Sequence, residues 1–169
     1  VLAHYCGKEI AFELQLSTTF LTVIVQRSLF YQKEGVFLIW VFDEFSTETD
    51  TQKFTQKDVY YNNKQNVFIF DNEAMTKSSK TNQLQLKCLY KEYSVSGDSI
   101  IEKWAQSFIS MADIVYDTIK MECYYKDSEK ERLTLMNELE IRRKNEEQKK
   151  VEIENQYKRE KEEQEKAEI

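Results

Sequence analysis

The residues best suited to chemistry lie in one short stretch, Ile10-Ala11-Phe12-Glu13-Leu14-Gln15-Leu16-Ser17. Side chains alternate along an extended strand. Ile10, Phe12, Leu14 and Leu16 are therefore expected to face a core, with Ala11, Glu13, Gln15 and Ser17 on the opposite face. A carboxylate and a carboxamide one pleat apart can hold a divalent cation and orient a water or phosphate beside it, because hard cations prefer oxygen donors. The wet face of any amphipathic strand has the same pattern. Two neighbours favour chemistry. The apolar run Val36 to Phe42 would set this strand near the middle of a sheet, where an unpaired carboxylate is costly to bury. A helix capped by Ser17, Thr18 or Thr19 would also open its free amides beside Gln15, ready for a phosphate.

Arg27 and Tyr31 stand four apart, on one side of that helix. Arg27 can clamp a phosphate and Tyr31 can position it. The alternative is that Arg27 covers the polar edge of a helix whose Phe20, Ile24 and Phe30 pack inward. His4 is the only histidine, and a turn at Gly7 would bring its strand beside Glu13. Asp43, Glu44, Asp58 and Asp71 read as solvated charges at strand ends or in loops. The chain has no G-x-G-x-x-G, P-loop or H-E-x-x-H pattern, so dinucleotide, nucleoside triphosphate and zincin chemistry find no support.

The elements that must position these residues follow from patterning. Val1 to Tyr5 and Glu9 to Leu16 read as a hairpin around Cys6-Gly7-Lys8. The next helix runs to about Glu34 and ends at Gly35, a left-handed cap. Val36 to Phe42 has no polar residue and reads as a central strand covered on both faces. Asp43 to Lys57 reads as a loop, Asn66 to Phe70 and Leu84 to Tyr90 as strands. From Ser99 a helical stripe is expected, carried by Ile100, Ile101, Trp104, Phe108, Met111, Ala112, Val115 and Ile119. From Lys126 onward Glu, Lys, Gln and Arg dominate. Pairs such as Glu146 with Lys150, Glu154 with Lys158 and Glu162 with Lys166 suit a solvated extended helix. Arg142 to Lys150 contains no apolar residue, so a homodimeric coiled coil through this helix is the alternative and its seam is interrupted. The expected organisation is α/β, a mixed central sheet with flanking helices over residues 1–95, then a helical region over 96–169 ending in a long charged helix.

Composition bounds the function. The 169 residues are 41% hydrophobic and 13% aromatic, enough for a packed core. A net charge of −6 repels polyanions overall, so contact with nucleic acid must be local. The three cysteines form no C-x-x-C pair, which speaks against a disulfide framework and fits a reducing cytoplasm. No apolar run reaches membrane-spanning length. A start at Val1 rather than Met reads as a fragment of a longer protein.

The run Glu13-Leu14-Gln15-Leu16-Ser17, the helix carrying Arg27 to Tyr31, then Gly35 and the strand ending Ile39-Trp40-Val41, together resemble the nuclease domain of CoiA-like competence proteins. These belong to the PD-(D/E)xK, or restriction-endonuclease-like, superfamily. The resemblance is good over residues 1–45, loose over the rest of the domain, and absent from the charged helix. It implies a restriction-endonuclease-like fold and Mg²⁺- or Mn²⁺-dependent phosphodiester hydrolysis of DNA. Glu13 would bind the metal with the Leu14 carbonyl as neighbouring ligand, Gln15 would orient water, and Ser17, Arg27 and Tyr31 would contact substrate. Gln15 stands where the superfamily usually has Lys, and an amide lacks the positive charge that lysine gives a transition state. The family also places an Asp on the preceding strand, ahead of a segment like Val1-Leu2-Ala3, so this fragment is expected to be a poor nuclease. The runner-up functions are a non-catalytic DNA-binding or DNA-processing accessory protein, or an interaction protein acting through a coiled coil of the charged helix.

Overall fold

The computed structural model describes residues 1–48 and 53–167, with side chains to residue 164. Its centre is a six-stranded mixed sheet in the sequential order β1-β2-β3-β4-β5-β6. The strands are β1 (Leu2–Tyr5), β2 (Lys8–Gln15), β3 (Phe37–Phe42), β4 (Asn66–Ile69), β5 (Gln85–Ser96) and β6 (Ser99–Ser110). β2, β3 and β4 run parallel, while β1, β5 and β6 join antiparallel to their neighbours. Parallel neighbours need long crossovers. Helices α1 (Leu21–Lys33) and α2 (Phe54–Asn62) supply them, and α3 (Asn72–Thr81) leads from β4 to β5.

The first hairpin forms as patterning predicts. Cys6 and Gly7 both adopt positive φ, the geometry of a two-residue turn that matches strand twist. β3 is the expected central strand, with Phe37, Ile39, Trp40, Val41 and Phe42 buried. On one face of the sheet Trp40, Phe42, Val67, Ile69 and Leu89 pack with Ile24 of α1 and Val59 and Tyr60 of α2. On the other, Ile10, Phe37, Ile39, Val41, Phe68, Leu86, Cys88 and Ile109 pack under Ile114 and Cys123. This second cover is a small hairpin of β7 (Val115–Asp117) and β8 (Glu122–Tyr124).

Two covers of different reach revise the expected faces of β2. The small hairpin touches β3 near its amino end, where Cys123 Sγ lies 3.2 Å from the Leu38 carbonyl. Leu14 and Leu16, expected in the core, are exposed at the other end of that face. Gln15, expected on a wet face, is buried. It lies on the side where α1 and α2 start.

The helix expected from Ser99 is instead β6, followed by a 3-10 turn at Met111–Asp113 and the β7–β8 hairpin. The reason is a degeneracy of spacing. Ile100, Trp104 and Phe108, like Ile101, Ala105 and Ile109, recur every fourth residue, which shares a face in a helix and in a strand alike. Twelve paired positions with β5, closed by Gly97 at φ +59°, decide for the strand. The β5–β6 ribbon also runs continuously across residues 95 and 96. Within the stretch read as a loop, residues 54–57 belong to α2, and residues 49–52 lie outside the described residues.

The charged tail is a single helix, α4 (Ser128–Ala167). Its first part braces the ribbon where it projects beyond β4. Ser128 Oγ donates to the Lys91 carbonyl at 2.8 Å, Leu139 is buried, Arg142 donates to the Gly97 carbonyl, and Arg143 donates to the Asp98 carbonyl at 2.6 Å. Residues 140–164 are exposed, with the Glu154–Lys158 pair formed at 2.7 Å. The Glu162–Lys166 pairing lies outside the described side chains. No helix among the described residues is long and apolar enough to cross a membrane.

Candidate functional site

Parallel pairing sets Glu13 beside Trp40 and Gln15 beside Phe42, with all four side chains on the face that α1 and α2 cover. Ile24 anchors α1 to that face with no exposed surface. One and two turns further on, Arg27 and Tyr31 therefore return toward β2. The far end of α1 is locked by Gly35 at φ +72°, which lets its own amide bond Gln32 and lets the Val36 amide reach the Tyr31 carbonyl at 2.9 Å. Tyr31 is thus fixed at its backbone before its phenol is considered.

Three of the singled-out residues meet on one carboxylate. Arg27 Nη1 donates to Glu13 Oε2 at 2.8 Å, and Tyr31 Oη donates to Glu13 Oε1 at 2.9 Å. The guanidinium also lies over the Trp40 ring, 5.8 Å from its centre. Glu13 keeps 22% of its side chain exposed and Arg27 keeps 47%, so the pair sits at the rim of the core rather than within it. The hydrogen bond to the Glu13 carboxylate, helped by burial, holds the Tyr31 phenol above its ordinary pKa. Each Glu13 oxygen has a donor, while Arg27 commits one of its five N–H groups to this bond, leaving the rest of its fork for other acceptors.

Gln15 goes elsewhere. Its Nε2 donates to the Ser17 carbonyl, and it lines a small notch with Ser17, Thr18, Asp43, Glu44, Lys53, Thr55 and Gln56 at the carboxyl ends of β2 and β3. Ser17 does not begin a helix. The residue preceding α1 is Phe20, without a side-chain cap, because Thr19 is tied to α2 instead. The Thr19 amide donates to Thr55 Oγ1 at 3.0 Å, and that hydroxyl donates back to the Thr19 carbonyl at 2.9 Å. The predicted set therefore divides into a charged trio and a polar notch one pleat away.

Among the described residues no group of three His, Cys, Asp or Glu could hold an ion. Glu13 is the trio's only carboxylate, and Arg27 already balances its charge. With both of its oxygens engaged by Arg27 and Tyr31, Glu13 offers a cation one carboxylate from this trio. Leu14, expected to lend its carbonyl, turns its side chain to the opposite, exposed face.

Residues 1–129 match the family described as a domain of unknown function, DUF6035. The chain belongs to that family. No curated protein and no solved structure matches it. In this DUF6035 domain the remaining sequence candidates do other things. His4 lies 3.7 Å from Glu9 on the exposed strand β1. Asp43 accepts the Glu44 amide at 2.9 Å. Asp71 caps α3 by accepting the Ala74 amide at 2.9 Å and pairs with Lys87. Pattern reading missed Trp40 as the floor under Arg27, because an apolar run marks a strand without saying what stands above it. It also missed Thr55 and Gln56, which lie inside a stretch too polar to announce a helix.

Proposed function

We propose that this domain is a nuclease-like module of the PD-(D/E)xK type that engages DNA at Arg27, and that residues 1–169 alone bind without cutting. The observation that carries this is the convergence of the E-x-Q strand and the R-x-x-x-Y helix on a single carboxylate. The hairpin–helix–strand order of β1, β2, α1 and β3 is in keeping with it. Arg27, held from beneath by Trp40 and from the side by Glu13, has N–H groups left for a phosphate oxygen. Absence of cleavage follows from the donor count, since Glu13 is one carboxylate and its charge is already balanced.

A metal-dependent reading is favoured by one further observation. In the antiparallel register Leu2 pairs Ala11 and Ala3 pairs Ile10, and Val1 exchanges both backbone hydrogen bonds with Phe12. In a chain that continues upstream along the same strand, the residue before Val1 would face Glu13 on the same side of the sheet. An Asp there, as the resemblance implies, would double the carboxylates.

The test uses one DNA substrate with Mg²⁺ or Mn²⁺. The 169-residue protein should bind it in a salt-sensitive way, lose binding on Arg27→Ala, and leave it intact. A chain extended upstream with an Asp facing Glu13 should cut, and Glu13→Gln in that chain should stop it. Cutting undiminished by Glu13→Gln, or binding indifferent to Arg27→Ala, refutes the assignment.

A further inference from the structure

The two edges of the sheet are built differently. β1 is four residues long, whereas β6 runs for twelve, from Ser99 to Ser110, and has a strand on one side only. An open edge is a row of backbone N–H and C=O groups that templates another strand, and proteins blunt it with short strands, proline, bulges or charges. β6 has none of the first three: its register with β5 is one-to-one along its whole length, and the chain has no proline. Its two charges, Glu102 and Lys103, cancel. Both lean back over β5, where Lys91 pairs with Glu102, and Glu92 with Lys103 at 3.2 Å.

Which backbone groups point outward follows from the turn. Gly97 and Asp98 form a two-residue turn, so Ser96 and Ser99 exchange hydrogen bonds, and such pairs recur at every second position. The N–H and C=O groups of Ile100, Glu102, Trp104, Gln106 and Phe108 therefore face away from β5. The Ser110 amide, next in that series, is in phase with this, donating to Asp113 Oδ2 at 2.8 Å. At the other end the Asp98 carbonyl accepts from Arg143 at 2.6 Å. The open groups are thus bounded on both sides by groups already bonded, and Trp104 is their midpoint.

A second β6, laid antiparallel about a two-fold axis at Trp104, meets every one of these groups. Ile100 falls opposite Phe108 of the partner subunit, Glu102 opposite the partner's Gln106, and Trp104 opposite the partner's Trp104. An axis at Glu102 or Lys103 would instead set like charges face to face. The strand is electrically neutral in a chain of net charge −6, so two copies can meet here without opposing like charges. We propose that the chain forms a two-fold dimer through antiparallel β6–β6 pairing centred on Trp104, which joins two six-stranded sheets into one. Glu13, on β2, lies toward the other edge, so the proposal stands apart from the reading of Arg27.

Sedimentation equilibrium of the 169-residue chain over a concentration series tests it, and should show monomer in exchange with dimer. Gln106 is exposed, so its substitutions act on the seam rather than on the core. Gln106→Glu sets a carboxylate opposite the partner's Glu102 on each side of the axis and should weaken the dimer by about 2- to 30-fold. Gln106→Pro removes an outward donor at a position where an edge strand tolerates proline; it should leave a monomer with an unchanged circular dichroism spectrum. Amide exchange gives a readout without any substitution. Glu102, Trp104 and Gln106 should exchange more slowly as the chain is concentrated, while Lys103 and Ala105, already bonded to β5, should not change. Removing every residue after Arg143 should leave the dimer intact. A monomer at every concentration overturns the proposal, as does a dimer indifferent to both Gln106 variants, or one that disappears with the distal helix.

Discussion

The Glu13–Arg27 contact lends itself to a double-mutant cycle with Glu13→Gln, Arg27→Met and the double variant, because each substitution removes the charge and nearly preserves volume. Fully exposed ion pairs couple by about 0.2–1 kcal/mol, and hydrogen bonds to charged partners net about 1.5–3 kcal/mol. One partner here is mostly shielded and the other half exposed. The bond is short, at 2.8 Å, and the guanidinium is backed by the Trp40 ring. The coupling should fall between those ranges, at about 1 kcal/mol. Glu13→Gln keeps an acceptor for the Tyr31 phenol, so the cycle isolates the Arg27 term. Urea unfolding of the four proteins, with m unchanged, measures it. In 1 M salt, where the Debye length is about 3 Å, the coupling should shrink. Coupling below about 0.3 kcal/mol, the ordinary scatter of independent sites, would mean that Arg27 and Glu13 are neighbours without being partners, and the preorganised guanidinium would go with them.

Asp71→Ala should cost about 1–2 kcal/mol by removing the α3 cap and a partner of Lys87, whereas Asp71→Asn, which still caps, should cost less than half of that. Burial alone would raise the Asp71 pKa, but the bonds from Lys87 and the Ala74 amide outweigh it and hold it below the usual carboxylate range. Its contribution is therefore present above the unfolded value near about 3.9 and is lost as pH falls through the lower folded value; acid unfolding curves of Asp71→Asn should be flatter in that region. Removing every residue after Arg143 should change stability by less than about 0.5 kcal/mol in thermal or urea unfolding, because the side chains of residues 144–164 are all exposed. Sedimentation of the same two proteins reads the dimer question directly: a mass per particle that drops from two chains to one on truncation would make the distal helix the seam.

Much of the positioning frame was legible in one dimension because its causes are local. Gly35 marks the end of α1 because only a residue at ease with positive φ closes that cap, and Cys6-Gly7 marks the hairpin for a related reason. The run from Phe37 to Phe42 announces a strand with two covered faces. Arg27 and Tyr31, four apart, share a helix face in any fold, and Glu13 and Gln15, two apart, share a strand face. What periodicity could not do was choose between helix and strand for Ile100 to Phe108, where spacings of four satisfy both.

Sequence alone determined which residues are able to cooperate, since side-chain direction along a helix or strand is a property of the backbone repeat. Tertiary structure decided which of them do. It matched α1 to β2 so that Arg27 and Tyr31 close on Glu13, turned Gln15 into a separate notch, left Leu14 in water beyond the reach of the β7–β8 cover, and brought Thr19 to Thr55 so that the starts of α1 and α2 are tied to each other. Each of these depends on contacts between residues far apart in the chain, whose free energy comes from the area one element covers on another, a quantity that no local pattern of residues contains.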